Sequence, residues 1–243
     1  MPSERVPVGQ WTYHTRVDPH RRGSPIADVI LGAQDGIVNV LGVLLGVSAA
    51  GASARLALAA ALAAAFAESL SMGAVAYTAS VAENDVYRAE QAREYRHVRA
   101  VPAIERQEVR DLYARKGFDG ELLDRIVATI TADPDVWVAV MMAEEHGLRP
   151  IEHRRSLRSA LIVFVAALVG SLLPVLPFLL LPVRMAALGA IAVAGASLFG
   201  IGAHKARLTL GRPLRSGLEI MAIGLLSALA GWAIGTLFGA GPR

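Results

Sequence analysis

Cysteine is absent from the 243 residues, which excludes disulfides and thiolate metal sites together. No cleavable signal peptide is expected either. The stretch through Arg22 is polar, and the first apolar segment is too long for a signal core and is followed directly by a second. Lysine is scarce beside abundant alanine and arginine, as in GC-rich bacterial coding sequences. Excess charge is small, at +3, but it is unevenly placed. Glu83 to His146 holds fourteen acidic against nine basic residues, and the remainder is basic. An acidic insert in a basic chain suggests a cation-collecting device rather than a nucleic-acid partner.

What is present is hydrophobicity, 54% of residues, gathered in runs. That segmentation predicts an all-α polytopic membrane protein with five transmembrane helices. A charged helical domain is inserted between the second and third. The expected segments are a polar arm (1–23), spans one and two (24–82), the charged domain (83–153) and spans three to five (154–243). Ser24 and Pro25 read as an N-cap and first helical residue. Pro174 and Pro177 should kink or break span three, with Pro182 in the turn after it. Span two should continue out of the membrane as a helix carrying Glu83, Tyr87, Glu90, Glu94 and His97 on one stripe. Pro102 opens the next helix and Gly117 closes it. Asp119 and Asp133 read as further N-caps, and Gly147 ends the last helix. Arginines and lysines cluster before spans one and three and between four and five. By the positive-inside rule the N-terminus and residues 83–153 are cytosolic and the C-terminus is outside.

Chemistry starts in span one. Asp28, Gly32, Asp35, Gly36, Asn39, Gly42 and Gly46 recur at steps of three and four and so share one helix face. A carboxylate in hydrocarbon is costly and usually faces a protein interior or a watery path. The glycines permit close approach by another helix, and around Asp35 they make most sense facing a second copy of this one. Asp28, near the cytosolic end, reads as an entrance residue or a helix N-terminal charge. In span two, Glu68 and Met72 lie one turn apart, a hard and soft pair that suits Fe²⁺ better than Mg²⁺ or Ca²⁺. The plain alternative is a packing methionine beside a structural acid. Repeated glycines in span five, at Gly231, Gly235 and Gly239, read as ordinary packing. Glu219 in that span is either a proton site or an acid reaching the cytosolic edge near Arg215.

A second cluster lies in the charged domain. Glu94 and His97 end one helix, Glu105 and Glu108 lie on the next, and Met141, Met142 and Glu145 on the last, with His146 and Glu90 at its margin. Carboxylates on facing helices are how bundles build multi-metal sites. The alternative is a solvated acidic face with two core methionines.

These patterns resemble the vacuolar iron transporter family. The carrying residues are Asp28-x-x-x-Gly32-x-x-Asp35-Gly36, Glu68-x-x-Ser71-Met72-Gly73-x-x-x-Tyr77, Glu105-x-x-Glu108 with Tyr113 and Gly117, and Asp135-x-Trp137-x-x-x-Met141-Met142-x-x-Glu145. The resemblance implies a homodimer with a transport path between protomers. It further implies proton-coupled Fe²⁺ export from the cytosol, across a bacterial plasma membrane or into a vacuole. It assigns Asp35, Glu68 and Met72 to the path, and Glu94, Glu105, Glu108, Met141, Met142 and Glu145 to cytosolic metal binding. His97 stands where the family usually carries a second acid. Zn²⁺, Mn²⁺ and Co²⁺ suit the same donors, and no organic cofactor is expected. An enzyme is not expected, although a membrane ferroxidase or iron-storage protein with a di-metal site in the cytosolic helices is the alternative. A metal sensor anchored by its spans ranks last, because intramembrane acids are superfluous in an anchor.

Overall fold

The computed structural model describes residues 25–151, 153–209 and 211–239, so the polar arm and Ser24 lie outside the described residues. Those residues form nine helices: α1 (Ile26–Ala49), α2 (Ala54–Ala100), α3 (Pro102–Arg115), α4 (Gly120–Ile130), α5 (Pro134–Glu144), α6 (His153–Leu172), α7 (Leu176–Leu180), α8 (Val183–Leu208) and α9 (Pro213–Gly239). They fall into two compact units, Met1–Met72 with Ile162–Arg243, and Gly73–Leu161. Five helices are long and apolar enough to cross a membrane: α1, α2, α6, α8 and α9. The pair α4 and α5, bent by 112°, passes the same test if taken as one broken span. By length and composition the count is therefore five or six.

The breaks follow local chemistry. Pro25 takes the N-cap of α1 rather than the first helical position, and its carbonyl accepts from the Val29 amide at 3.0 Å. Helix α2 runs unbroken for 47 residues, because no proline or glycine pair interrupts it before Pro102. Pro174 and Pro177 do break the third span. Helix α6 stops at Leu172, a turn follows, and the five-residue α7 leads to Pro182 at the N-cap of α8.

In the membrane unit the core is Ile37, Val40, Leu41 and Leu44 of α1 against alanines of α2 and α8. One expectation is corrected here. The glycines of α1 do not await a second copy of that helix; they are spent on its own neighbours. A Cβ at Gly32 would lie 2.9 Å from the Ala167 amide nitrogen of α6, and one at Gly36 would meet the Ala167 carbonyl. Further along, a Cβ at Gly46 would sit 2.8 Å from the Gly231 carbonyl of α9, and Gly231 and Gly235 return the contact onto Gly42 and Gly46. Backbone-to-backbone approach of this kind is what small residues permit in a bilayer, where there is no hydrophobic drive between helices.

The charged unit has its own core, in which Val98, Val109, Leu112, Leu123, Val127, Trp137, Val138, Met141 and Met142 are buried together. Its punctuation matches the sequence. The Asp133 side chain accepts from the Asp135 amide at 2.9 Å and caps α5. Gly117 (φ 94°) and Gly147 (φ 64°) take the left-handed conformation just past α3 and α5.

Candidate functional site

Two groups of side chains stand out, one in each unit. In the membrane unit, Asn39 of α1 donates from Nδ2 to Glu68 Oε1 of α2 at 2.7 Å. Asp35, one turn earlier on α1, is close enough to Glu68 for the two acids to interact. Asn39 is exposed, while Asp35, Glu68 and Met72 are half-buried. Two grooves flank this group. One, of about 570 Å³, is lined by Gln34 and Asp35 of α1, by Lys205 and Thr209, and by Ser227 of α9. The other, of about 520 Å³, runs along Asn39, Gly42 and Gly46 against Ser227, Gly231 and Gly235. Asp28 sits in the first turn of α1, where the helix dipole favours an anion. Glu219 lies six residues into α9 and is exposed.

An amide and two acids on a half-open face of apolar helices is a costly arrangement in lipid. Each group left unpaired there costs several kcal/mol, so such a face demands water, a cation or another protein surface.

In the charged unit, Glu94 and Glu105 are each 3% exposed among the apolar residues of the core. His146 Nε2 lies 3.1 Å from Glu94 Oε1, and His97 Nδ1 lies 3.2 Å from Glu105 Oε1. The second oxygens of both carboxylates are buried without a hydrogen-bond partner. Burial, with the neighbouring charges of Glu94, Glu108 and Glu145, pushes the Glu105 carboxyl up to about 7. Glu145 is raised as well, by partial burial and by Glu108, against the opposing pull of His146 and Arg115. Four acids therefore converge: Glu94, Glu105, Glu108 and Glu145. Glu90 joins at the edge, within 4.8 Å of Glu94 and His146, and is also paired to Arg93 at 3.0 Å.

The two methionines part company with Glu145. Helix α5 ends at Glu144, so Glu145 is the C-cap and its side chain is exposed, whereas Met141 and Met142 are 0% and 1% exposed in the core. His146, by contrast, is drawn in more firmly than its sequence position suggests. It lies past the helix end, where a 3.2 Å bond from its amide to the Met141 carbonyl and the Gly147 turn fix the backbone. Helical spacing does not reach that position, and only its identity as an imidazole beside Glu145 hinted at it.

A profile of the VIT family matches residues 26–236. Vacuolar iron transporter 1 of Arabidopsis thaliana is 32% identical over 213 residues, covering 87% of this chain and 85% of that protein. Vacuolar iron transporter 2 of Oryza sativa subsp. japonica is 33% identical over 213 residues, covering 87% of each. Protein CCC1 of Saccharomyces cerevisiae is 26% identical over 223 residues, covering 88% of this chain and 69% of that one.

Proposed function

The chain belongs to the VIT family, and from that premise we propose that it carries a divalent transition metal, Fe²⁺ foremost, out of the cytosol across a membrane in exchange for protons. The relatives named vacuolar iron transporters are transporters and not enzymes, so the ferroxidase alternative falls away. The observation that carries the proposal is the Asn39–Glu68 bond with Asp35 beside it, on helices otherwise built for hydrocarbon.

Asp35 and Glu68 supply hard anionic oxygens, and Met72, one turn from Glu68, supplies a soft thioether. Together they suit a borderline cation that must bind and leave. Coupling follows from competition: a carboxylate binds metal only when deprotonated, so metal and proton exchange on the same oxygens. Exposure of Asn39 within a span supports a homodimer in which a second protomer walls the path. The acids of the charged unit serve as the cytosolic collecting station, with Glu94, Glu105, Glu108 and Glu145 as its anionic donors. The surface charges of α4 and α5 (Glu121, Asp124, Arg125 and Glu144, all exposed) support placing that pair in water, leaving five spans. Arg154, Arg155 and Arg158 at the start of α6, and Lys205 and Arg207 at the end of α8, favour a cytosolic charged unit and an outer C-terminus. A bacterial plasma membrane is the expected location.

The test is Fe²⁺ flux into proteoliposomes under an imposed pH gradient, with Mn²⁺, Co²⁺ and Zn²⁺ as competitors. Asp35→Asn should reduce flux to background. Undiminished transport by that variant would sink the assignment.

A further inference from the structure

We propose that His146 and His97 are metal ligands, each completing one of two adjacent cation positions that share Glu94, and that these imidazoles tune the cluster toward Zn²⁺, Fe²⁺ and Co²⁺ and away from Mn²⁺. This deepens the reading of the charged unit as a metal-handling station and rests on it.

The geometry comes in two halves. Glu90, Glu94 and His146 offer ligand atoms all within 4.8 Å of one another, and so do Glu94, His97 and Glu105. Glu94 belongs to both. Its Oε1 faces His146 at 3.1 Å, and its Oε2 is buried with no hydrogen-bond partner. In the other half, Glu105 Oε1 faces His97 at 3.2 Å and Oε2 is again buried and unpartnered. At metal–ligand bonds of about 2.1 Å, neighbouring donors around a tetrahedral ion are about 3.4 Å apart. The two imidazole–carboxylate separations are already close to that edge length.

Simple ion pairing is the competing explanation, and it does not finish the accounting. An imidazolium beside each carboxylate satisfies one oxygen and leaves the other, buried in the core, with no partner but the neighbouring acid. A cation between each pair would engage the stranded oxygens, and a carboxylate with one oxygen toward each side is a natural bridge. The consequence for selectivity is chemical. Imidazole suits Zn²⁺ and Fe²⁺, whereas a purely carboxylate site suits Mn²⁺, Mg²⁺ and Ca²⁺.

The experiment uses the full chain, purified in detergent and stripped of metal, titrated with Zn²⁺ alone and with Mn²⁺ alone. Two Zn²⁺ ions should bind per cluster. His146→Gln should weaken one of them by at least about tenfold, the loss that even an outer-shell partner causes, with a smaller effect on Mn²⁺. His146→Glu should restore binding while shifting the Zn²⁺/Mn²⁺ preference toward Mn²⁺. Equal losses for both metals, an unchanged preference in both variants, or a single Zn²⁺ in the wild-type cluster would overturn the proposal. X-ray absorption at the zinc edge of the unmutated chain gives a reading that no folding defect can blur. About one imidazole per zinc is expected, and oxygen-only coordination overturns it. Neither measurement needs flux, so a chain that binds in this way yet fails to transport would refute the transport reading and leave this one standing.

Discussion

The two units handle acidic side chains in opposite ways. Among the described residues the membrane unit holds four carboxylates, Asp28, Asp35, Glu68 and Glu219, and none of them is buried. The charged unit holds more than three times as many and buries two of them, Glu94 and Glu105, at 3% exposure in its core. The surroundings explain the difference. Placed in water, as proposed above, the charged unit can draw protons from solvent, so it tolerates acids packed against acids. Helices in hydrocarbon lack that reservoir, so the membrane unit keeps its acids few, gives Glu68 an amide partner, and leaves the group on an open face. On the function proposed above, one unit would collect cations and the other would let a cation pass with little to hold it.

The sharpest way to break this division is to remove charge from one unit and read both. Glu68→Gln should lower metal flux by orders of magnitude, to background, while metal affinity measured on the solubilised chain changes by less than about twofold. Glu94→Gln should do the reverse, collapsing affinity while leaving a residual flux at high metal concentration. If both variants lost affinity and flux alike, the two units would be one site and the division would be wrong.

Packing separates the units almost as strongly. Gly235 of α9 lies against the Gly46 backbone, so Gly235→Leu drives a side chain into main-chain atoms that have no rotamer to change. The cost should reach about 3 kcal/mol or more, the upper end for overpacking, and is read as loss of the folded, monodisperse protein in detergent. Gly117 in the charged unit has open space around its Cβ position and is held only by its φ of 94°. Gly117→Ala should therefore cost about 1–2 kcal/mol, the left-handed penalty alone, seen as a lower melting temperature with metal binding intact.

Much of this was legible in advance, and the reasons are local ones. The breaks at Pro174 and Pro177, the caps at Asp133 and Gly117, and the continuation of α2 past the apolar run each depend on a few neighbouring residues. The partner of the α1 glycines was not legible. Small residues at helical spacing announce a close approach, but α6 and α9, which claim those glycines, are distant in sequence. The Asn39–Glu68 bond joins residues 29 apart and leaves no periodic trace. His146 was legible only as a marginal candidate because it lies one residue beyond the α5 C-cap, where helical arithmetic ends.

The smallest expected effect is a pH dependence of opposite sign with and without metal, confined to the charged unit. The Glu105 carboxyl stands at about 7 against an ordinary 4.5. Between those values the folded unit holds a proton that the unfolded chain has released, so folding stability falls as pH rises through that window. Glu145 is shifted in the same direction and adds to the trend. Metal-free protein melted at pH 5.5 and at pH 8, followed on the fluorescence of Trp137 in the core of this unit, should therefore lose a few degrees at the higher pH, since each kcal/mol moves a small domain by about 4–8 °C. Glu105→Gln should flatten that slope. Saturating Zn²⁺ or Fe²⁺ should reverse it, because the bound ion requires Glu105 deprotonated and competes best at high pH. At pH 7 a carboxyl titrating near 7 is about half protonated, so binding should release about half a proton from Glu105. Calorimetry in two buffers of different ionisation enthalpy measures that release. A melting temperature that rises with pH in the metal-free protein would mean that the acids of this unit are held apart or paired with cations, and the contrast between the two units would lose its electrostatic basis.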